Sequence, residues 1–344
     1  MQSLVIAFPS ARAAACLVAG IPAAVRAAVQ ALAEDRGESV SCIVVTPGPW
    51  EPSAHCRAQW ARLVPGAVCR TAQEGWQPQG GAPVLDGVAL VLAAAHIEMP
   101  AAARGGAEPL AALRAAGAAL LAATAKPGDG IVSRHLNRPV SQAISRQLLK
   151  IPGITPNHAS VGTALLGLAM AACLLLGGER GLMAGALLFQ AASIFDGVDG
   201  EIARATFQTS PRGAMIDSLI DAATNLAFIG GVTVNLALAG HSGAAMAGAA
   251  GLVMLASGLA AIGMRSARQG GAFTFDAVKH HAARRPSRLM QWLTWLTMRD
   301  FFAALAAVLI LCGLAPHALV GFAVCTALWL AYTLTVLGAT RKAA

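Results

Sequence analysis

Residues 181–221 read GLMAGALLFQAASIFDGVDGEIARATFQTSPRGAMIDSLID. The stretch begins as an apolar run near the length of about 20 residues that a helix needs to cross a bilayer. Asp196 and Asp199 lie towards the end of this run, and Asp217 and Asp221 lie at the start of the next one. A charged side chain inside hydrocarbon costs about 2.5–3.5 kcal/mol on insertion scales. The stretch therefore predicts a membrane-spanning fold that carries a functional site.

The composition of the whole chain agrees with this interpretation. Only 12 % of the 344 residues are charged, about half of the roughly 25 % that is typical of soluble proteins. Hydrophobic residues make up 56 %, and the mean hydropathy is +0.61. These values exclude a disordered chain, a nucleic-acid-binding tail protein and a conventional soluble enzyme.

Six membrane spans are expected after residue 155, and their connections indicate the orientation. With the N-terminus inside, fourteen of the fifteen Lys and Arg residues after position 134 lie on the cytoplasmic side. The first residues lack the basic region of a signal peptide, so both termini are expected in the cytoplasm and the spans in the inner (plasma) membrane. The seven cysteines, without a Cys-x-x-Cys pair, are expected to be reduced. The expected spans are 156–177, 181–203, 213–238, 243–264, 300–316 and 318–338.

Residues 1–125 alternate β-like and helix-like runs, which is typical of a small, Rossmann-like α/β domain with a mostly parallel sheet. Lys126-Pro-Gly-Asp-Gly130 is typical of a turn and begins a linker region, 126–155. Within it, residues 133–150 form a basic amphipathic pattern that predicts a juxtamembrane helix. The expected strands are Leu4–Phe8, Val40–Val45 and Val88–Ala93, and the expected helices are Pro22–Leu32 and Pro109–Ala125.

The acidic residues fall on shared helix faces. Asp196 and Asp199 are separated by three positions, and Asp217 and Asp221 by four, so each pair lies on one face. Because the connection between the two spans is short, the spans should be antiparallel neighbours whose acids converge at one depth. Four carboxylates offer hard oxygen ligands for Mg²⁺ or Mn²⁺. Four such ligands suggest a two-metal site, which is typical of enzymes that transfer phosphoryl groups.

The positions around these acids favour a phosphate ligand. Gly200, Ala203 and Gly213 keep the helix surfaces small, which lets a bulky ligand approach the backbone. Arg204 is placed to meet a phosphate.

The whole pattern, D-x2-D-G-x2-A-R-x8-G-x3-D-x3-D, resembles the signature of the CDP-alcohol phosphotransferases at every fixed position. The resemblance extends from about Ser133 to the C-terminus and includes Thr155-Pro-Asn157 with Ser160, and Arg299-Asp300-Phe-Phe. It implies an all-α domain of six membrane helices over residues 156–344. It also implies transfer of a substituted phosphate from a CDP-alcohol, either CDP-diacylglycerol or a CDP-polyol, to the hydroxyl of an acceptor alcohol, with release of CMP.

The resemblance also implies roles for individual residues. Asp221 would be the general base that deprotonates the acceptor. Two divalent ions, Mg²⁺ or Mn²⁺, would be held by Asp196, Asp199, Asp217 and Asp221. Contacts with the CDP moiety, or room for it, would come from Asn157, Ser160, Gly200, Ala203, Arg204, Ser210 and Gly213.

The first 125 residues are faintly similar to the nucleotidyltransferase half of bifunctional inositol-phosphate cytidylyltransferase/di-inositol-phosphate-phosphate synthases. Such a domain needs a Gly-rich loop with basic residues after its first strand to hold a triphosphate. Here that stretch is Phe8-Pro-Ser-Ala-Arg-Ala-Ala-Ala, and Asp86 is the one candidate metal ligand. We therefore expect a degenerate, catalytically inactive domain.

The loop between Arg265 and Asp300 is expected to be an interfacial helix held by anionic headgroups, or a site for an anionic acceptor. A zinc site at its His pair is not expected, because acidic and Cys partners are missing nearby. Nucleic acid is not an expected partner, because topology already explains the basic charge. The residues concerned are Lys279, His280, His281, Arg284, Arg285, Arg288, Trp292 and Trp295.

Two other classes of protein remain as alternatives. A divalent-cation transporter would use the four aspartates as its transport site. A regulatory membrane protein without catalysis would recruit a partner through the N-terminal domain. The expected partners of the enzyme are the donor, the acceptor and the bilayer, with a homodimer left open.

Overall fold

The computed structural model of the protein describes residues 2–33, 40–73, 75–76, 83–97, 109–268 and 298–342. The chain divides into two compact units. The first, which we call the α/β unit, comprises Met1–Ala125, Ile144–Ile154 and Arg204–Phe207. The second, which we call the membrane unit, comprises Lys126–Ala143, Thr155–Ala203 and Gln208–Ala344.

The α/β unit is built on a parallel sheet of four strands in the order β5-β4-β1-β6. A two-stranded antiparallel ribbon, β2 with β3, lies between β1 and β4 along the chain. The strands are β1 (Gln2–Ala7), β2 (Leu17–Val18), β3 (Ile21–Pro22), β4 (Val40–Thr46), β5 (Ala67–Gln73) and β6 (Val84–Asp86). The helices are α1 (Ala11–Ala15), α2 (Ala23–Leu32), α3 (Ala54–Leu63), α4 (Gly87–Ala94) and α5 (Pro109–Ala122).

Helix α2 supplies much of the core of this unit. Its alanines at 23, 24, 27 and 28 are fully buried, and such small side chains let a helix lie close to its neighbours. Arg26 is also buried and donates from Nε to the carbonyl of Val18 at 2.6 Å and from Nη2 to that of Ala19 at 3.0 Å. Burial lowers the pKa of Arg26 to about 10, which still leaves it charged at neutral pH.

The expected strand Val88–Ala93 is wrong, because residues 87–94 form helix α4. The strand lies just before it, at β6, where Asp86 ends the strand and caps the helix by accepting from the backbone N–H of Val88 and Ala89. A short apolar run can form either a strand or a helix, and here the N-cap residue Asp86 favours the helix. The expected strands β1 and β4 and helices α2 and α5 are confirmed to within a few residues, whereas β5, β6 and α3 were not anticipated.

The rest of the chain is helical. A π-helical turn, Ser133–Asn137, leads into α6 (Arg138–Leu148), which confirms a helix in the juxtamembrane region. The six helices that follow are α7 (Pro156–Leu176), α8 (Gly178–Ala205), α9 (Pro211–Leu238), α10 (Ser242–Arg268), α11 (Arg299–Leu311) and α12 (Ala315–Lys342).

Five of these six helices are long and apolar enough to cross a membrane: α7, α8, α9, α10 and α12. Helix α11 lies where a span at 300–316 was expected, but it has only 13 residues. At 1.5 Å per residue it rises about 20 Å, less than the hydrocarbon thickness of about 30 Å. The multi-pass membrane fold is therefore supported, and the count of six spans is not confirmed.

Aromatic stacking and glycine contacts hold α7, α8 and α9 together. Phe189 of α8 stacks on Phe228 of α9 with ring centroids 4.0 Å apart. Leu174 of α7 fills the space left by Gly185 and Gly231, where a Cβ atom would lie 2.5 Å and 2.8 Å from its side chain. Small residues allow such close approach between membrane helices, and close packing is what joins helices in lipid.

We expect Cys42 and Cys56 of the α/β unit to resist alkylation at pH 8. Burial, and secondarily the neighbouring Cys69, raises the pKa of each thiol to about 12, so the reactive thiolate is about a thousandfold rarer than for a thiol of pKa 9. Mass spectrometry after iodoacetamide treatment would measure this, with the denatured chain as the control. Equal labelling in the native and denatured states would contradict the buried positions.

Candidate functional site

The acidic residues lie on α8 and α9, close to the point where the first helix ends and the second begins. Helix α9 starts at Pro211, and Ser210 caps it by accepting a hydrogen bond of 3.0 Å from the backbone N–H of Gly213. A Cβ atom at Gly213 would lie 3.1 Å from the Ser210 hydroxyl, so the glycine leaves room for this cap. Proline at the first helical position and serine at the N-cap are the residues that such a helix start favours.

The carboxyl group of Asp217 lies within hydrogen-bonding reach of those of Asp196 and Asp199. Asp199 is buried, and Oδ2 of this residue accepts a hydrogen bond of 2.8 Å from the hydroxyl of Ser160 on α7. Three helices of the membrane unit thus meet at these acids.

Arg299, the first residue of α11, supplies the positive charge at this site. Its Nη1 lies 3.2 Å from Oδ1 of Asp196 and also contacts Oδ1 of Asp221. The Arg299 guanidinium lies 6.0 Å from the centre of the Phe189 ring. The side chain is only 11 % exposed, so its charge acts in a shielded environment where charge–charge attraction is stronger than in water.

The donor set of this site fits a divalent cation. Within the described residues, no three His, Cys, Asp or Glu side chains form a ready-made ion site. The Arg299 guanidinium instead lies between Asp196 and Asp221, where it stands in for a cation. Carboxylate oxygens are the ligands that Mg²⁺ and Mn²⁺ prefer, so these residues fit such an ion once Arg299 withdraws.

The other expected ligand-binding residues have different surroundings. Asn157 is exposed in the first turn of α7. Arg204, in the last turn of α8, donates from Nε to the carbonyl of Thr124 at 2.9 Å, and both residues belong to the α/β unit. Gly200 and Ala203 are half-buried on α8. The structure therefore brings together the four aspartates and Ser160, while Ser210 and Gly213 meet each other at the cap.

Sequence reasoning missed Arg299 as the partner of the acids. The signal was present in Arg299-Asp300-Phe-Phe, a basic residue at the start of an apolar helix in a chain that has few charges. Only the folded chain places this residue beside α8 and α9. The loop residues Lys279, His280, His281, Arg284, Arg285, Arg288, Trp292 and Trp295 lie outside the described residues.

A helical membrane unit with clustered aspartates at the ends of two adjacent helices defines a class of multi-pass membrane protein with an acidic site. The family model described as CDP-alcohol phosphatidyltransferase matches residues 153–337, more than half of the chain. The chain belongs to this family.

The chain is also similar to curated proteins named "Bifunctional IPC transferase and DIPP synthase". It is 45 % identical over 94 residues to the protein from Thermococcus kodakarensis, which covers 27 % of this chain and 20 % of that protein. It is 40 % identical over 109 residues to the protein from Aquifex aeolicus, covering 32 % and 24 %. It is 40 % identical over 135 residues to the protein from Rubrobacter xylanophilus, covering 39 % and 29 %. The matches thus span less than a third of each relative.

The contact between Ser160 and Asp199 depends on how closely α7 approaches α8, which leads to a prediction about Gly162. A Cβ atom at Gly162 would lie 2.5 Å from the ring of Phe195, the residue before Asp196. We expect Gly162→Leu to destabilise the membrane unit by about 1–3 kcal/mol, because overpacking forces the helices apart. The midpoint of unfolding in detergent would measure this effect.

Gly321→Leu on α12 is the matched control, because nothing lies within 4 Å of a Cβ atom there. Replacing Gly by Leu at this position gives the same gain in helix propensity, up to about 1 kcal/mol, but creates no clash. Equal unfolding midpoints for the two variants would contradict the close packing of α7 on α8.

Proposed function

We propose that this protein is a divalent-metal-dependent membrane transferase. It would move a substituted phosphate from a CDP-alcohol to the hydroxyl of an acceptor alcohol and release CMP. The observation that carries the proposal is the convergence of Asp196, Asp199 and Asp217, with Asp221 and Asp196 sharing the cation of Arg299. Membership in the CDP-alcohol phosphatidyltransferase family supports the same reaction class.

In this proposal the four aspartates hold two ions, Mg²⁺ or Mn²⁺. When bound, these ions would supply the positive charge that neutralises the pyrophosphate of the donor and stabilises the leaving CMP. Ser160 would keep Asp199 in place through its hydrogen bond of 2.8 Å. Arg299, displaced from Asp196 and Asp221, would remain available to an anionic group of a substrate.

Asp221 is the proposed general base. Its Oδ1 contacts Nη1 of Arg299, and once that guanidinium withdraws the oxygen would be open to accept a proton. The acceptor oxygen would form a bond to the phosphorus distal to cytidine while the bond from that phosphorus to the CMP oxygen breaks. The proton of the acceptor hydroxyl would pass to Asp221, and CMP would leave with the bonding electrons.

The donor alcohol is the open part of the proposal, because the aspartates recognise the pyrophosphate and not the alcohol. CDP-diacylglycerol would make the product a phospholipid, and a CDP-polyol would make it a soluble or lipid-linked phosphodiester. The relatives are named as IPC transferases and DIPP synthases, so any assay should include a CDP-polyol as donor.

We further propose that the α/β unit does not transfer nucleotides. Three residues, Phe8 to Ser10, connect β1 to α1, and the Ser10 side chain is used to cap α1 by accepting from the N–H of Ala13. Asp86, the candidate metal ligand, is used in the same way to cap α4. A short connection of this kind lacks the series of backbone N–H groups that a triphosphate requires.

The proposed orientation puts both termini in the cytoplasm and the acidic site near the cytoplasmic face of the inner membrane. The basic residues after position 134 support it, because they cluster in the connections on that side.

We expect Asp221→Asn to reduce CMP release by about a hundredfold or more, the contribution that a general base makes. The assay would use purified protein, Mn²⁺, and either CDP-diacylglycerol or a CDP-polyol with a panel of acceptor alcohols. Glu179→Gln, which removes an exposed acid at the other end of α8, is the control and should leave CMP release unchanged. Absence of CMP release by the wild type with every donor would overturn the proposed function.

Arg299→Gln should raise the affinity of the site for Mn²⁺ several-fold, because the guanidinium competes with the ion for Asp196 and Asp221. Electron paramagnetic resonance of free Mn²⁺ would give the affinity without turnover. Arg180→Gln, an exposed charge on α8, is the control. Unchanged or weaker binding in the Arg299 variant would contradict the overlap of the guanidinium with the ion site.

A further inference from the structure

Helix α8 buries a second acid on the side away from the aspartates. Glu201 follows Asp199 by two residues, which at 3.6 residues per turn places it roughly 160° around the helix. It is 0 % exposed. Its Oε1 accepts hydrogen bonds from Nη1 of Arg138 at 2.9 Å and from the hydroxyl of Ser141 at 2.6 Å.

Arg138 binds a second acid with the remaining part of its guanidinium. Nε lies 2.7 Å from Oδ2 of Asp129, and Nη2 lies 3.2 Å from Oδ1. Burial alone would lower the pKa of Arg138, but the hydrogen bonds and charges of Asp129 and Glu201 outweigh it and raise that pKa. The cation is therefore retained at every working pH. We call Asp129, Arg138, Ser141 and Glu201 the back-face lock.

A glycine in α8 leaves room for the side chains of this lock. A Cβ atom at Gly197 would lie 3.2 Å from the Ser141 hydroxyl and 3.3 Å from Nη1 of Arg138. Gly197 lies one turn before Glu201, so the glycine and the acid form one stripe on the helix. One turn earlier, the hydroxyl of Ser193 lies 3.3 Å from the amide nitrogen of Asn137, the residue that precedes Arg138.

Burial of apolar surface by itself orients α8 weakly. In a bilayer, apolar side chains are solvated almost as well by lipid as by another helix, so rotation about the helix axis changes little apolar burial. A buried carboxylate behaves differently, because turning it away from its cation leaves a charge unpaired in a low-dielectric environment. The back-face lock therefore distinguishes one rotation of α8 from the others.

We propose that Arg138 and Glu201 are positioning residues that fix the rotation of α8 and so direct Asp196 and Asp199 towards α9. This inference deepens the proposed function and rests on it for its kinetic test. The hydrogen bonds and ion pairs that define the lock involve none of the four aspartates. The lock acts on Asp196 and Asp199 through α8, the helix that carries them.

The first test measures orientation without turnover. In a chain whose native cysteines are replaced by alanine, Asp199→Cys with Asp217→Cys should be joined rapidly by a short bifunctional thiol reagent. Adding Glu201→Gln or Arg138→Gln should slow this cross-linking about tenfold, because each breaks the ion pair between Arg138 and Glu201. Arg146→Gln, an exposed charge on α6, is the matched control and should leave the rate unchanged. Rates within about twofold of the control in both lock variants would overturn the inference.

The second test separates positioning from stability. Glu201→Leu with Arg138→Leu and Asp129→Asn removes all three charges of the lock, and replacing buried ion pairs by uncharged residues commonly preserves the fold. The inference predicts an unchanged unfolding midpoint with slow cross-linking of the thiol pair. A triple variant that cross-links at the control rate would show that the lock serves stability alone and would overturn the inference.

The third test uses CMP release in the otherwise native chain. Arg138→Lys keeps the charge and should retain most activity, while Arg138→Gln should lower kcat about tenfold to a hundredfold, the range that misplacement of reacting groups produces. The KM for the donor should change less than kcat. Equal kcat for Lys and Gln at this position would overturn the inference. Lack of CMP release by the wild type would instead count against the proposed function, and the cross-linking result would stand by itself.

Discussion

The constraint on which the rest of the membrane unit depends is the accumulation of like charge in a shielded environment. Asp196, Asp199 and Asp217 approach within hydrogen-bonding reach, and Asp221 shares Arg299 with Asp196. Carboxylates at such positions repel one another and are costly to remove from water. Without a bound ion, one guanidinium offsets part of this cost. In the proposed function, cations and a pyrophosphate would fill this arrangement and offset the repulsion.

The packing of the helices brings these acids close to one another. Glycines on α7, α8 and α9 let the helices approach closely, and the stacked pair Phe189 and Phe228 holds α8 against α9. The same Phe189 lies beside the guanidinium of Arg299. Close packing thus brings together the helices that carry the acids, and the burial of Asp199 strengthens its charge interactions.

Several features could be predicted from the sequence because they are local. The acid spacing placed each aspartate pair on one helix face, and the apolar runs located five helices that are long enough to span. Where local patterns are ambiguous, one prediction was wrong and the count of six spans was not confirmed. The run Val88–Ala93 is as apolar as a buried strand, but Asp86 caps it as a helix. The fifth expected span, 300–316, was counted from composition, whereas its helix, Arg299–Leu311, has only 13 residues.

The sequence by itself determined the membrane class of this protein, its family and the helix faces that carry its aspartates, because all three follow from composition and fixed spacing. Only the tertiary structure decided which cation meets those aspartates and which acid is turned away from them. Arg299 lies 78 positions beyond Asp221, and Arg138 lies 63 positions before Glu201. Contacts over such separations depend on how helices rotate and pack, and no local pattern in the sequence encodes that.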